Sequence, residues 1–397
     1  MTSTVEYKDV VESAKAMIPR LRERAKETEE IRKIPESTMK ELKEAGLFKM
    51  LRPKQYGGLE TNMRTYSEAV VEISKGCAST GWIVALCAIR ELMVAESFTE
   101  EAHDEIFGED PESVLFAGVY EPRSCTAKKV DGGYLIEEGH WMFCSGSQHA
   151  TWGYFGTIIR DDEGNVTDQL LMTLPFSEME ILDDWDVMGL KGTGSNSVKM
   201  HNVFVPDRRC VSFSKALDGD FNSAHLRHIP LYNSALFPGL ILSLGLPGLG
   251  LLKYALEFFQ QSLPMRRAAH MGVEFIKDAA STHALIADAA MKIESAEYFF
   301  FKVADDIDRW AESGQYMERE ARVKALADIG HANKMLKEAL DDLMAGSGSG
   351  FAYNGHPMQR IIRDFLVLHS HRSLSPIITK ENYGRVLVGL ESNAIRY

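Results

Sequence analysis

Cysteine is scarce and scattered in this chain: Cys77, Cys87, Cys125, Cys144 and Cys210 are its five thiols among 397 residues. None stands at CxxC spacing, which removes the usual zinc and dithiol patterns. An odd number of thiols, behind an N-terminus with no apolar run, points to reduced cysteines in a cytoplasm. Positive charge is also short: Lys and Arg total 44 against 57 Asp and Glu, a formal net charge of −13. Nucleic acid, which needs a basic face, drops out as a partner. There is no Walker A motif and no GxGxxG after a strand, so no ordinary ATP or nicotinamide site is expected. His140, His149 and His356 form no ligand-like spacing, and no metal is expected. The most apolar run, Leu236 to Leu252, is interrupted by Pro238, Pro247 and four glycines (Gly239, Gly245, Gly248, Gly250). It reads as core rather than a membrane span.

What remains is the composition of an ordinary globular protein, 45% hydrophobic and 25% charged, long enough for two or three domains. Its periodicity changes twice. Val11, Ala14, Met17, Leu21 and Ala25 make a helical stripe, Pro35 opens a second helix, and helices are expected over 61–75 and 79–98. From about 112 the chain breaks into short apolar runs split by Gly, Asp and Asn, the pattern of strands. From about 216 it is helical again. Ile286, Ile293, Phe300, Val303, Ile307 and Trp310 on one helix, and Leu326 to Leu343 on the next, predict an antiparallel bundle. The expectation is an α+β protein with a helical domain at 1–111, a central β domain at 112–215 and a helical bundle at 216–397.

The stretch most suited to chemistry is 139–153, Gly-His-Trp-Met-Phe-Cys-Ser-Gly-Ser-Gln-His-Ala-Thr-Trp-Gly. A strand carrying Trp141 and Phe143 on one face runs into a small, polar turn at Ser145, Gly146 and Ser147. Aromatic rings and hydroxyls at a strand end suit a flat, partly polar ligand, although an ordinary β-turn has the same residues.

Three segments carry a resemblance. The helix ending Gly-Leu-Phe, followed by Pro53-Lys-Gln-Tyr-Gly-Gly58, resembles the N-terminal domain of the acyl-CoA dehydrogenase superfamily. Trp185-Asp-Val-Met-Gly-Leu-Lys-Gly-Thr-Gly-Ser195 resembles its flavin-side β signature, and Gly348-Ser-Gly-Phe through Arg363-Asp364 its C-terminal element. The resemblance implies the fold of that superfamily: helical N-terminal domain, central β-barrel or sandwich, C-terminal four-helix bundle. The dehydrogenases' Glu-Gly-Thr motif is missing after Arg363-Asp364, so the usual base for a thioester α-proton is absent. Ala-Ser-Thr-Gly-Trp82, Cys144-Ser-Gly-Ser-Gln-His-Ala-Thr-Trp152 and His371 are similar instead to the two-component flavin-dependent monooxygenases, the branch of p-hydroxyphenylacetate and hydroxy-steroid-ring hydroxylases.

That branch implies reduced FMN or FAD delivered by a separate NAD(P)H-flavin reductase, O₂, a C4a-hydroperoxide that hydroxylates a small aromatic substrate, and a homotetramer. It places Ser145 near flavin N5 and His371 at the peroxide oxygens. Trp141, Thr193, Gly194 and Ser195 become candidate flavin contacts. Gly348, Ser349 and Gly350 are candidates for the phosphate of a neighbouring subunit's flavin, with Arg267 supplying charge that this run lacks. Trp82, Arg90 and His149 are candidate substrate contacts. Arg90 stands where related hydroxylases tend to have histidine; it suits an anionic group, or an ion pair with Glu91 or Glu96. An acyl-CoA dehydrogenase or oxidase with its base elsewhere, and a non-catalytic relative, are the competing readings.

Overall fold

A computed structural model describes residues 7–161, 163–268 and 272–393. The N-terminal part is helical: α1 (Tyr7–Glu30), α2 (Glu36–Glu44), α3 (Met63–Gly76), α4 (Ala78–Ser97) and α5 (Glu100–Phe107). Ala14, Met17, Leu21 and Ala25 of α1 are buried as expected, while the stripe starts at Val10 and not at the expected Val11, which is half-buried. Asn62 caps α3 by accepting from Thr65 N, and Thr99 caps α5. In α4 every residue is buried. It has no polar face because neighbours enclose it on all sides.

The central layer is one eight-stranded sheet in the order β6-β7-β3-β2-β4-β5-β8, with β1 on β4. Its strands are β1 (Phe116–Ala117), β2 (Ser124–Val130), β3 (Gly133–Trp141), β4 (Trp152–Arg160), β5 (Val166–Pro175), β6 (Glu180–Ile181), β7 (Val198–Pro206) and β8 (Cys210–Ser212). The sheet is mixed: β1 and β2 each run parallel to β4, and the remaining pairs are antiparallel.

The chain then returns to helices: α6 (Phe213–Leu217), α7 (Leu236–Ser262), α8 (Ala280–Glu312), α9 (Arg319–Ser347), α10 (Pro357–His369) and α11 (Pro376–Leu387). The apolar run with two prolines is a single buried helix, α7, with Pro247 inside it. Both α4 and α7 are long and apolar enough to cross a membrane, yet both are buried within the fold. The helices at the two ends of the chain share one core, in which α7 packs on α3, α4, α8 and α9. The sheet has a smaller core of its own, around Trp141, Phe155 and Met172.

Candidate active site

Two loops at one end of the sheet are knitted together by their backbones. The first leaves β3 at Trp141 and turns through Phe143 and Gly146, both at positive φ (+64° and +78°). The second, 190–197, turns through Leu190 (φ +51°) and Gly194 (φ +50°). Cys144 N donates to Asn196 O (3.1 Å) and Gly146 N to Thr193 O (3.0 Å). An added Cβ at Gly146 would meet Ile83 of α4 at 3.4 Å, an ordinary contact. It is the left-handed backbone that calls for glycine.

This knitting aligns buried hydroxyls in a row. Trp82 Nε1 donates to Ser145 Oγ (3.0 Å). Ser145 Oγ lies 2.7 Å from Ser195 Oγ, which lies 2.7 Å from Thr193 Oγ1. Thr193 Oγ1 donates to Leu190 O (2.8 Å). Each hydroxyl has one hydrogen, so the last bond fixes the direction of the rest. Thr193 has spent its hydrogen, so Ser195 donates to Thr193 and Ser145 to Ser195. The row runs from Trp82 N–H to a carbonyl, and Ser145 is left with a lone pair and no hydrogen to give.

His371 stands beside Trp82, with ring centroids 6.2 Å apart. It is not on a helix. α10 ends at His369, and His371 caps the short turn that follows, its Nδ1 accepting from Ser373 N (3.3 Å). The neutral ring therefore carries its hydrogen on Nε2, the atom left to donate. Burial lowers its pKa to about 4. At neutral pH it is thus a hydrogen-bond donor, where the unperturbed ring would offer a proton as well. His369 faces elsewhere and stacks on Phe365.

α10 also holds the second loop. Asp364 accepts from Leu190 N (2.7 Å), and burial raises its pKa to about 6. Arg363 donates to Met188 O. A Cβ at Gly189 would lie 2.1 Å from Arg363 O, so the loop is clamped flat against the helix. Sequence reasoning passed over Leu190, Asn196 and Asp364. Leu190 and Asp364 stand in the segments that carry the family resemblance, which says nothing of their role, and Asn196 lies just beyond one of them.

Several candidates lie elsewhere than expected. Trp141 is not on a ligand-facing surface: it is fully buried in the sheet's core, its Nε1 donating to Gly156 O (2.9 Å). The expected shared face with Phe143 fails because Phe143 has left strand geometry. Phe143 is instead exposed, edge-on to Trp185 at 6.0 Å. His149 turns to the N-terminal helices, with Nδ1 3.7 Å from Glu36. Arg267 is exposed and faces Glu274 (3.6 Å); the arginine that reaches the glycine run is Arg266, donating to Gly346 O (2.8 Å). Gly348 (φ +66°), Ser349 and Gly350 follow α9. Arg90 is buried and pairs with neither expected carboxylate. Its Nη1 donates to Leu86 O (2.9 Å) and its Nη2 to Gly118 O (2.5 Å). Glu91 takes Arg52 instead, at 2.9 and 2.7 Å.

The hydroxyl row fits a ligand edge that brings an N–H to Ser145, as reduced isoalloxazine does. Among the described residues, no carboxylate hydrogen-bonds to Ser145, Ser195, Trp82 or His371.

Fold and site together define a flavoprotein of acyl-CoA dehydrogenase architecture. The family models for the acyl-CoA dehydrogenase N-terminal domain and C-terminal domain match residues 4–106 and 242–376. The oxygenase subunit HsaA of a flavin-dependent monooxygenase from Rhodococcus jostii is 31% identical, over 94% of this chain and 97% of that protein. The crystal structure of the HsaA monooxygenase from M. tuberculosis superposes with a TM-score of 0.91 at 29% identity, over 98% of this chain and 99% of that one. XiaF from Streptomyces sp., solved with FADH2 and glycerol, has a TM-score of 0.91 at 26% identity, covering 98% of each chain. The chain belongs to the acyl-CoA dehydrogenase family and, within it, to the oxygenase subunits of flavin-dependent monooxygenases. It is a flavin-dependent oxidoreductase.

Proposed function

We propose that this chain is the oxygenase component of a two-component system: it receives reduced flavin from a separate NAD(P)H-dependent reductase and hydroxylates a small aromatic substrate. The observation that carries the reading is the directed hydroxyl row from Trp82 to Leu190 with a neutral His371 beside it. Reduced flavin supplies two electrons to O₂, so that one oxygen atom enters the substrate and the other leaves as water. Ser145, with its oxygen held by Ser195 and Thr193, would accept from the N5 edge of a bound reduced flavin. The neutral His371, with its hydrogen on Nε2, would supply the donor beside it. Burial of the row excludes the water that would divert reducing equivalents to hydrogen peroxide.

Gly348, Ser349 and Gly350, with Arg266 in place of Arg267, receive the flavin phosphate of a neighbouring subunit in a homotetramer. Five reduced thiols suit a cytoplasmic setting. The test supplies a flavin reductase, NADH, FMN or FAD, ¹⁸O₂ and a panel of phenols. Retention of one labelled oxygen in a hydroxylated product supports the reading. Reduction of bound FAD by an acyl-CoA, with no labelled product, would replace it with a dehydrogenase.

A further inference from the structure

One residue ends the hydroxyl row, and its backbone is held on both sides. Leu190 is buried, with 3% of its surface exposed, and stands in the left-handed region at φ +51° and ψ +31°. A residue with a side chain disfavours that conformation and keeps it only where neighbours fix it. Its N–H donates to the Asp364 carboxylate (2.7 Å). Its carbonyl takes three donors: Thr193 Oγ1 (2.8 Å), Thr193 N (3.1 Å) and the Trp185 indole Nε1 (3.3 Å). Trp185 is itself held, its backbone N donating to Asn196 Oδ1 (3.1 Å). The carbonyl side therefore has several supports, while the N–H side rests on Asp364.

The direction of the row follows from that carbonyl. While it faces Thr193, Thr193 spends its hydrogen there, Ser195 donates to Thr193, and Ser145 donates to Ser195. Ser145 is then an acceptor toward any ligand. If Leu190 relaxed to a right-handed or extended backbone, its carbonyl would turn away. The Thr193 hydrogen would be released to point back along the row, each hydroxyl could reverse, and Ser145 could donate. The difference is felt at flavin N5. Reduced isoalloxazine carries a hydrogen there, and oxidised isoalloxazine a lone pair. A row locked in one direction meets the first with an acceptor and the second with the wrong partner.

We propose that Asp364 is a positioning residue for the flavin site: by holding the Leu190 N–H it keeps the row's hydrogens pointing away from the ligand, and so makes the site prefer reduced over oxidised flavin. This deepens the oxygenase reading and rests on it where flavin is concerned. Asp364 acts through the backbone of Leu190 and not by contact with the row. A carboxylate suits the task because a hydrogen bond to an ionised acceptor is among the strong ones.

The test has a flavin-free arm and a flavin-bound arm. In the first, the full chain carries ¹⁵N at its tryptophan indoles, and their N–H resonances are assigned by single Trp-to-Phe variants. Asp364→Ala is expected to shift the Trp82 and Trp185 resonances and to leave Trp141 and Trp310 in place. Asp364→Asn keeps an oxygen for the Leu190 N–H and is expected to restore both. Thr193→Val cuts the row just before the carbonyl, so in that background Asp364→Ala should no longer move Trp82. A Trp82 resonance indifferent to Asp364→Ala, or one that still moves with the row already cut, overturns the proposal. In the second arm, oxidised and photoreduced FMN are titrated under nitrogen, followed by tryptophan fluorescence. The wild type is expected to bind the reduced form about fivefold more tightly, the worth of one hydrogen bond. Asp364→Ala should close that gap and Asp364→Asn keep it. Equal affinities in the wild type, or a gap surviving Asp364→Ala, overturn the proposal. If Asp364→Ala does not fold, Asp364→Leu takes its place, and the wild-type gap with its loss in Thr193→Val decides. A wild type that hydroxylates no phenol under ¹⁸O₂ would strike the oxygenase reading, while the flavin-free resonances still decide the role of Asp364.

Discussion

At the scale of single residues, the site depends on who donates to whom. Ser145→Ala removes the acceptor of the buried Trp82 N–H and breaks the row at its second member. Leaving that donor unmet is expected to destabilise the protein by about 1–3 kcal/mol, measured by urea unfolding. Hydrogen peroxide formed per NADH oxidised should rise several-fold while flavin affinity changes little, because one bond of many is lost. His371→Asn is expected to lower product per O₂ without weakening flavin binding, since it replaces the donor and not the pocket. With its pKa held near 4 by burial, the wild-type ring stays neutral across pH 6–8. Coupling should therefore be flat over that range and fall only as pH approaches 4; a titration centred near 6.5 would contradict a buried, neutral donor. Residue identity was the part of the site most legible in sequence, since Ser145, Thr193, Ser195 and Trp82 could be marked from small-residue turns and motif likeness. Orientation was not legible. Trp141 looked like a ligand contact because strand alternation paired it with Phe143, and a single residue at positive φ undid that pairing.

At the scale of elements, the loop 190–197 has its shape because α10 holds it. Asp364 meets Leu190 N, and Gly189 lets the backbone pass over Arg363 O with no room for a methyl. Gly189→Ala is expected to cost more than 2 kcal/mol, in the range for overpacking against rigid backbone, and to weaken flavin binding at least tenfold, read by fluorescence titration. A control change at exposed Gly132, where an added Cβ meets nothing but φ is +72°, should leave flavin binding unaltered. A second element-level device joins α5 to α4. His103 is buried, bonded to Val94 O (2.9 Å) and to His225 (3.0 Å), and its pKa is lowered to about 4. A histidine with a depressed folded pKa binds its proton more readily when unfolded. Its contribution is complete above pH 6.5 and is lost as pH falls toward 4. The stability gap between wild type and His103→Asn should shrink by about 2 kcal/mol from pH 7.5 to pH 5. Helices α1, α8 and α9 were readable from periodicity, which reports a buried stripe. α11 was not, because Ile377 and Ile378 are exposed in the single chain and leave no such stripe. The length of α7 was obscured by Pro247, whose cost in a helix interior is outweighed here by complete burial.

At the scale of the whole molecule, two facts argue that the chain is not a string of separable domains. The helices before the sheet and those after it share one core, and polar ties cross between them: Arg22 to Glu257 (2.8 Å) and Arg64 to Asp305 (3.0 Å). α3 and α4 bury their surfaces on α7, so a fragment ending near residue 215 would expose what the full chain hides. Such a fragment is expected to bind a hydrophobic dye and lack a cooperative melt. Large apolar side chains remain exposed in the full chain at two places: Ile377, Leu387, Val388 and Leu390 on and after α11, and Met291 and Tyr298 on α8. Extended exposed apolar patches often mark interaction surfaces, and the proposed homotetramer gives these residues a use. It would also bring the Gly348–Gly350 run of one chain to another chain's flavin. Leu387→Asp with Val388→Asp places charge on that surface without touching the hydroxyl row. Sedimentation is expected to show a tetramer for the wild type and a smaller species for the double variant, whose flavin affinity drops with assembly. A wild-type monomer that binds reduced flavin at full strength would break the link between assembly and site.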